Sequence, residues 1–306
     1  MTIHAVVYPA REVPLGGVRG MQVRRTLPQR GLPTVGAWCF LDRFGPQRVA
    51  MRVEPHPHMG LQTVTWPLAG EIRHRDSVGS DVVLRRGALN LMTSGDGIAH
   101  SEYSLGDGTV ELDALQFWVA LPEHARHGER GFETHEDLPR LDLGEGANVI
   151  VILGTLGGVT SPATTYSPLV GAEITLAAGT DVTVPLNPAW EHALVRLGGE
   201  FSAGLDTADA APGPAGDDLL YLDSGLRSVR LASREGARLF LMGGEPLAEE
   251  LVMWWNFVGR SHEEIEQAWH AWEAGSERFG KVAGHGDVRI PAPPMPTVRL
   301  LPRKRG

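Results

Sequence analysis

From residue 35 to residue 111 the chain alternates short apolar runs with turn residues, and that rhythm leaves little room for anything but a many-stranded β architecture. The runs 36–41, 63–68, 82–84 and 90–92 are separated by Gly45-Pro46, Ala69-Gly70, Ser77-Val78-Gly79-Ser80, Arg86-Gly87 and Gly95-Asp96-Gly97. Turn chemistry at such close spacing predicts a sandwich or barrel rather than alternating βα units. A further strand is predicted over 112–120, a polar, His-rich surface connection over 122–140, and apolar runs resume at 149–153. The 38 Gly and 22 Pro among 306 residues supply the many turns this needs.

The same pattern recurs. Pro67-Leu68-Ala69-Gly70-Glu71 is matched by Arg196-Leu197-Gly198-Gly199-Glu200 at an offset of 129, and Leu89-Asn90-Leu91-Met92-Thr93-Ser94-Gly95 by Leu219-Leu220-Tyr221-Leu222-Asp223-Ser224-Gly225 at an offset of 130. Two matches at nearly one offset predict a duplicated β domain. The segment 203–217, rich in Ala, Gly, Pro and Asp, is expected to be a mobile loop inside the second copy. After Gly243-Gly244-Glu245-Pro246 the chain changes character. Ser261-His262-Glu263-Glu264 has the form of a capping box, and Ile265, Ala268, Trp269 and Trp272 form an apolar stripe, predicting a helix that ends near Gly275. Residues 291–296 form a Pro-rich extended tail. The expected partition is a barrel over 1–135, a second barrel over 136–245, and a helix with its tail over 246–306.

Charge and cysteine content narrow the function classes. A net charge of -9 and a pI near 5.7 argue against nucleic acid or an anionic membrane as partner, since both require a basic face. The one cysteine, Cys39, lies in the apolar run Ala37-Trp38-Cys39-Phe40-Leu41 and reads as a buried hydrophobe, with no intrachain disulfide to form. The sequence begins without a basic segment followed by an apolar one, and no apolar window approaches the length of a membrane span, so a cytoplasmic protein is expected.

Two short stretches carry metal-ligand chemistry: His56-Pro57-His58 and His100-Ser101-Glu102. Successive side chains of a strand alternate faces, so each stretch aims both of its ligand-type residues to one side. If the two strands are neighbours, three imidazoles and a carboxylate converge, a donor set suited to iron, manganese, nickel, copper or zinc. Pro57 favours the extended conformation at His56 that this requires. Spacing alone does not separate a metal site from surface or hydrogen-bonded histidines, because 12 histidines produce an HxH by chance about half the time. The offset adds an asymmetry. Positions 56, 58, 100 and 102 map onto Pro185, Asn187, Arg230 and Ala232, which cannot form such a site, so only the first copy is expected to hold metal. Other candidates read as structural: His74 as an exposed hairpin rim, His192 as a packed residue of the second copy, His124, His127 and His135 as solvated, and Trp254, Trp255, Trp269 and Trp272 as packing between helix and barrel.

The string His56-Pro57-His58-x-Gly60, Gly70-Glu71, His74-x-Asp76-Ser77 and Met92-Thr93-x-Gly95-x-Gly97-Ile98-x-His100-Ser101-Glu102 resembles the pirin family of the cupin superfamily. Asp42-Arg43-Phe44-Gly45-Pro46 is similar to the family's early segment, and Gly244-Glu245-Pro246, Trp255-Asn256-Phe257-Val258 and Arg278-Phe279-Gly280 to its bacterial branch. The resemblance implies an all-β bicupin, two jelly-roll-like barrels with a C-terminal helix and extended tail. It implies a single divalent metal in the first barrel, Fe(II) with Mn, Ni, Cu, Co or Zn as alternatives, held by His56, His58, His100 and Glu102. It further implies a quercetin 2,3-dioxygenase type of activity on a flavonol and O2, with Glu102 as ligand and proton acceptor. Its alternatives are a dioxygenase of another small phenolic substrate, and a metal- or redox-dependent regulator acting through a protein partner. One departure is Gln62, where the family usually has Glu; a change in hydrogen bonding and charge around the metal is the expected consequence.

Overall fold

The computed structural model describes residues 5–14, 21–205 and 211–305. Its first half contains β1 (Ala5–Tyr8), β2 (Arg11–Pro14), β3 (Gln22–Leu27), β4 (Trp38–Val49), β5 (Arg52–His58), β6 (Leu61–Ala69), β7 (Ile72–Asp76), β8 (Asp81–Leu84), β9 (Leu89–Thr93), β10 (Ile98–Ser104), β11 (Val110–Ala120) and β12 (Gly131–His135). The second half contains β13 (Arg140–Leu141), β14 (Ala147–Leu156), β15 (Val159–Thr160), β16 (Leu169–Leu176), β17 (Thr180–Pro185), β18 (Glu191–Gly199), β19 (Ser202–Leu205), β20 (Ala211–Pro212), β21 (Leu219–Leu222), β22 (Ser228–Ser233) and β23 (Ala237–Gly244). A ribbon of β24 (Val252–Trp254) and β25 (Phe257–Gly259) then leads to α1 (His262–Glu273).

Each half closes a large sheet over a four-stranded one. In the first, the order β12-β9-β6-β11-β4-β3-β2 faces β5-β10-β7-β8; in the second, β1-β21-β18-β23-β16-β14-β13, with β15 on β14, faces β17-β22-β19-β20. This is the two-barrel arrangement that the internal repeat predicts. Strand β1 pairs antiparallel with β21, so the first described strand lies in the sheet of the second half.

The two large sheets pack back to back. Val64, Trp66 and Phe117 from one side meet Ala193, Val195 and Phe240 from the other, with Trp38 edge-on to both phenylalanines at 5.1 and 6.3 Å. Strands β6 and β11 are therefore covered on both faces, which is why 63–68 and 112–120 read as nearly continuous apolar runs rather than as alternating ones. Polar pegs cross the same interface. Arg43 makes a bidentate pair with Asp113 at 2.8 and 2.9 Å and reaches Asp217 of the second half at 2.7 Å. Burial opposes the Arg43 charge, but these two carboxylates outweigh it and hold the guanidinium protonated.

Two connections differ from expectation. The polar stretch 122–140 contains β12, which adds to the edge of the large sheet through β9; its flanking charges obscure a five-residue extended run. The segment 203–217 is partly ordered by backbone pairing, β19 with β22 and β20 with β19, which composition does not report. The centre of that expected loop, 206–210, lies outside the described residues.

Helix α1 begins as the capping signature predicts. Ser261 is the N-cap and accepts from Glu264 N at 3.2 Å, while the Glu264 carboxylate accepts from Arg260 N at 2.8 Å and from Arg126. Ile265, Ala268 and Trp272 are buried against Met59, Ala99 and Phe257. The tail is tied to the helix by the indoles of Trp269 and Trp272, which donate to Pro293 O and Ile290 O at 2.9 Å each. Among the described residues no helix is long and apolar enough to cross a membrane.

Removing the Arg43 cation takes the bidentate partner from the buried Asp113 and leaves Asp217 with Arg24 alone. Arg43→Ala should lower the unfolding free energy by about 3–5 kcal/mol, measured by urea denaturation.

Candidate metal centre

Strand β10 runs between β5 and β7, and the register decides what meets there. His100 pairs directly with His56 on one side and with Asp76 on the other; Ile98 pairs with His58, and Glu102 with His74. Alternation then aims His56 and His58 from β5, His100 and Glu102 from β10, and His74 and Asp76 from β7 to the same inner face, all of them buried. Nitrogens of His56, His58 and His100 lie within 4.8 Å of one another, and ligand atoms of His74, His100 and Glu102 form a second such group. His100 belongs to both groups. The register of β10 on β5 shifts between His100 and Glu102, whereas its pairing with β7 stays regular, so the carboxylate is set closer to His74 than to the two histidines of β5.

The hydrogen bonds around the rings fix which nitrogens can bind metal. His56 Nδ1 lies 3.0 Å from the Glu54 carbonyl, which can only accept, so Nδ1 carries the proton and Nε2 the lone pair. His74 Nε2 lies 3.1 Å from Asp76 Oδ2, and His74 Nδ1 lies 3.3 Å from His100 Nδ1. Burial pushes the Asp76 carboxyl up, but its bond to His74 and the Ser80 backbone N–H more than offset this and hold it below the usual carboxylate range. Asp76 Oδ2 accepts from His74 Nε2–H, which leaves His74 Nδ1 as the acceptor for His100 Nδ1–H and His100 Nε2 for a metal. The chain Asp76, His74, His100 thus orients a ligand ring in the way carboxylates and carbonyls orient metal-bound imidazoles elsewhere.

The donor set fits a metal on its own chemistry. Burial, reinforced by the neighbouring His56, holds His58 well below its ordinary pKa, while a hydrogen bond to the Asn256 backbone acts the other way. His58 is therefore neutral, and its buried Nδ1 has no hydrogen-bond partner among the described residues. Three imidazoles with a nearby carboxylate match the preference of divalent first-row transition metals. Trp118 stands edge-on to His58 at 5.2 Å and is stacked on Phe40 at 4.0 Å, giving the site an apolar wall.

Two expectations are corrected here. His74 is not an exposed rim residue: it is 2% exposed and stacked on Phe132 at 4.5 Å. His74-Arg75-Asp76 has the same residue-x-residue spacing as the two ligand stretches, but the flanking Arg73 and Arg75 disguise it as surface. Gln62 does not face this site. It lies on the face of β6 shared with Val64 and Trp66, turned toward the second barrel, where its amide donates to Thr93 Oγ1 at 2.9 Å and Thr164 O at 3.2 Å. A Gln or a Glu there changes the barrel interface rather than the metal's surroundings.

His124, His127 and His192 lie as expected, whereas His135 is less solvated than its polar surroundings imply. His124 and His127 are exposed, the latter paired with Asp96, His135 is half-buried against Glu133, and His192 is buried in the second barrel. Trp254, Trp255, Trp269 and Trp272 all pack in the cluster between helix and barrel. Cys39 is buried, and burial pushes its thiol up to about 12.

Comparison with known proteins gives a consistent placement. The family model described as Pirin matches residues 20–119, and the Pirin C-terminal cupin domain matches 171–280. A protein of Pseudomonas aeruginosa named "Putative quercetin 2,3-dioxygenase" is 41% identical over 94% of this chain and 89% of its own. A Pirin-like protein of Caulobacter vibrioides is 34% identical over 94% of this chain and 99% of its own. The crystal structure of a quercetin 2,3-dioxygenase from Acinetobacter baumannii superposes with a TM-score of 0.88 at 34% identity, covering 97% of both chains.

His74→Phe keeps the ring that stacks on Phe132 and removes the acceptor for His100. It should weaken metal affinity about 10–100-fold in a chelator competition while leaving the stoichiometry at saturation unchanged.

Proposed function

Because the chain belongs to the pirin family, we propose that it is a metal-dependent dioxygenase that cleaves flavonols, of the quercetin 2,3-dioxygenase type, with His56, His58, His100 and Glu102 as metal ligands. The observation that carries this reading is the meeting of three buried imidazoles on two paired strands beside a carboxylate. In this reading the barrel of residues 1–135, apart from β1, which joins the other sheet, carries the chemistry, the barrel of 136–245 supports it, and 246–306 closes over it. Fe(II) is the metal proposed, and the cytoplasm the compartment.

The overall reaction opens the heterocycle of a flavonol with O2 and releases carbon monoxide. When bound, the metal supplies Lewis acidity and a route for electrons between substrate and dioxygen. The residues of the chain do the rest. His56 and His100 are held in fixed tautomers by Glu54 O and His74, so their lone pairs are committed before substrate arrives. Glu102 takes the proton of the flavonol 3-hydroxyl, the step that makes the substrate an electron-rich anion. The buried wall of Phe40 and Trp118 accommodates an aromatic ring and limits water around that anion.

Protein reconstituted anaerobically with Fe(II) and then mixed with quercetin in air should bleach the flavonol absorbance with release of about one carbon monoxide per flavonol, the stoichiometry of the proposed cleavage. Absence of turnover with each of iron, manganese, nickel, copper and cobalt would sink the proposal. His56→Ala and Glu102→Ala should each lose bound metal by elemental analysis; retention of full metal content would remove the corresponding residue from the ligand set.

A further inference from the structure

Among the described residues the second barrel aims no ligand set inward: β17 and β22 turn Val182, Val184, Val229 and Leu231 into its interior. One end of that interior is not filled, and Leu156, Val170, Pro185, Leu186, Asn187, Trp190 and His192 line a cavity of about 220 Å³ there. None of the residues lining it carries a charge. The apolar walls belong to the barrel interior, and the half-buried Trp190 and Pro185 stand at the rim.

Of the polar side chains lining this cavity, Thr155 bonds the Thr160 hydroxyl and Asn187 Oδ1 accepts from Ala189 N, whereas His192 is buried. It is 1% exposed, and its Nδ1 has no hydrogen-bond partner among the described residues. The fold makes specific room for the ring. His192 pairs across the sheet with Gly243, where a Cβ would come within 2.5 Å of His192 Cδ2, so a larger residue at 243 would displace the imidazole. A buried polar ring without a partner costs stability, and a ligand that completes its hydrogen bonding recovers that cost.

We infer that this cavity is a second small-molecule site, distinct from the metal centre, that takes a neutral single-ring phenol with its hydroxyl on the His192 imidazole and its ring against Trp190. Size favours one ring, since a dry cavity of about 150 Å³ already admits benzene, whereas pockets for larger, drug-sized ligands begin at about 300 Å³. The absence of charged lining residues disfavours an anion or cation. Burial pushes the His192 pKa down to about 4, so at neutral pH the ring offers one N–H and one lone pair. A phenol hydroxyl donates and accepts, and satisfies either tautomer.

The test uses metal-stripped full-length protein, so that the metal centre cannot coordinate the probe, and ligand-observed fluorine NMR with 4-fluorophenol and fluorobenzene. The wild type should bind 4-fluorophenol saturably and about tenfold more tightly than fluorobenzene, the worth of one hydrogen bond. His192→Phe should abolish that preference while fluorobenzene still binds, and Trp190→Ala, a change at the half-exposed rim, should weaken both probes. If 4-fluorophenol does not bind saturably, the cavity holds water only and the inference fails. It also fails if binding is unaltered by both substitutions, or if the wild type does not distinguish the two probes. Should His192→Phe not fold, the wild-type preference and the Trp190→Ala result decide the matter alone.

Discussion

The register of β10 between β5 and β7 is the constraint on which the candidate centre depends. A slip of one residue would turn His100 and Glu102 outward and leave His56, His58 and His74 facing nothing. Packing at the end where β5 finishes and β10 starts pins that register. Gly60, just past His58, adopts φ +72 with Val258 O only 2.0 Å from where a Cβ would sit, and Gly97, just ahead of β10, lies against the Phe279 ring. Neither position tolerates a side chain, so the approach of the C-terminal segment fixes where β5 ends and β10 begins.

The two barrels share a backbone plan and diverge in what they aim inward. In the second, Arg230 and Asp181 pair across β17 and β22 on the exposed face, an arrangement that serves solubility and strand pairing but no ligand. Their inward neighbours Val184, Val229 and Leu231 are apolar, so the offset partners Pro185, Arg230 and Ala232 fall one position out of phase with the ligand face, and His192 enters the interior from β18. Between the barrels the correspondence is closer. Gln62 on β6 and Glu191 on β18 sit at equivalent positions facing the interface, the former bonded to Thr164 O and the latter to Gly36 N, the Tyr221 hydroxyl and Arg305. The departure at Gln62 therefore belongs to the chemistry that joins the halves.

Much of this organisation is legible in the sequence because it follows from short-range rules. Turn residues mark strand ends, the offset of 129 to 130 exposes the duplication, and residue-x-residue spacing puts His56 with His58, and His100 with Glu102, on one face of their strands. What escapes is set by long-range register. Nothing local says that β7 lies beside β10, so His74 and Asp76 look like a charged rim. Nothing local says which face of β6 meets the other barrel, so Gln62 looks like a neighbour of the metal. The pairing of β1 with β21, and of β19 with β22 in a Gly- and Ala-rich stretch, likewise depends on partners far away in sequence.

The same alternation that aims the ligands inward makes the C-terminal segment necessary. His58 and His100 face the interior, so Met59 and Ala99, their immediate neighbours, face out, and both are apolar and buried. They are covered by Phe257, Ile265, Ala268, Trp272 and Phe279. Backbone bonds add to the seal: Val258 N donates to Met59 O at 3.1 Å, and Ile290 N to Pro55 O at 2.8 Å, on the strand that carries His56. A four-stranded sheet with ligands on one face and apolar residues on the other cannot stand at a solvent boundary. The helix and its tail supply the missing layer, and they thereby hold the metal-bearing strands rigid from behind.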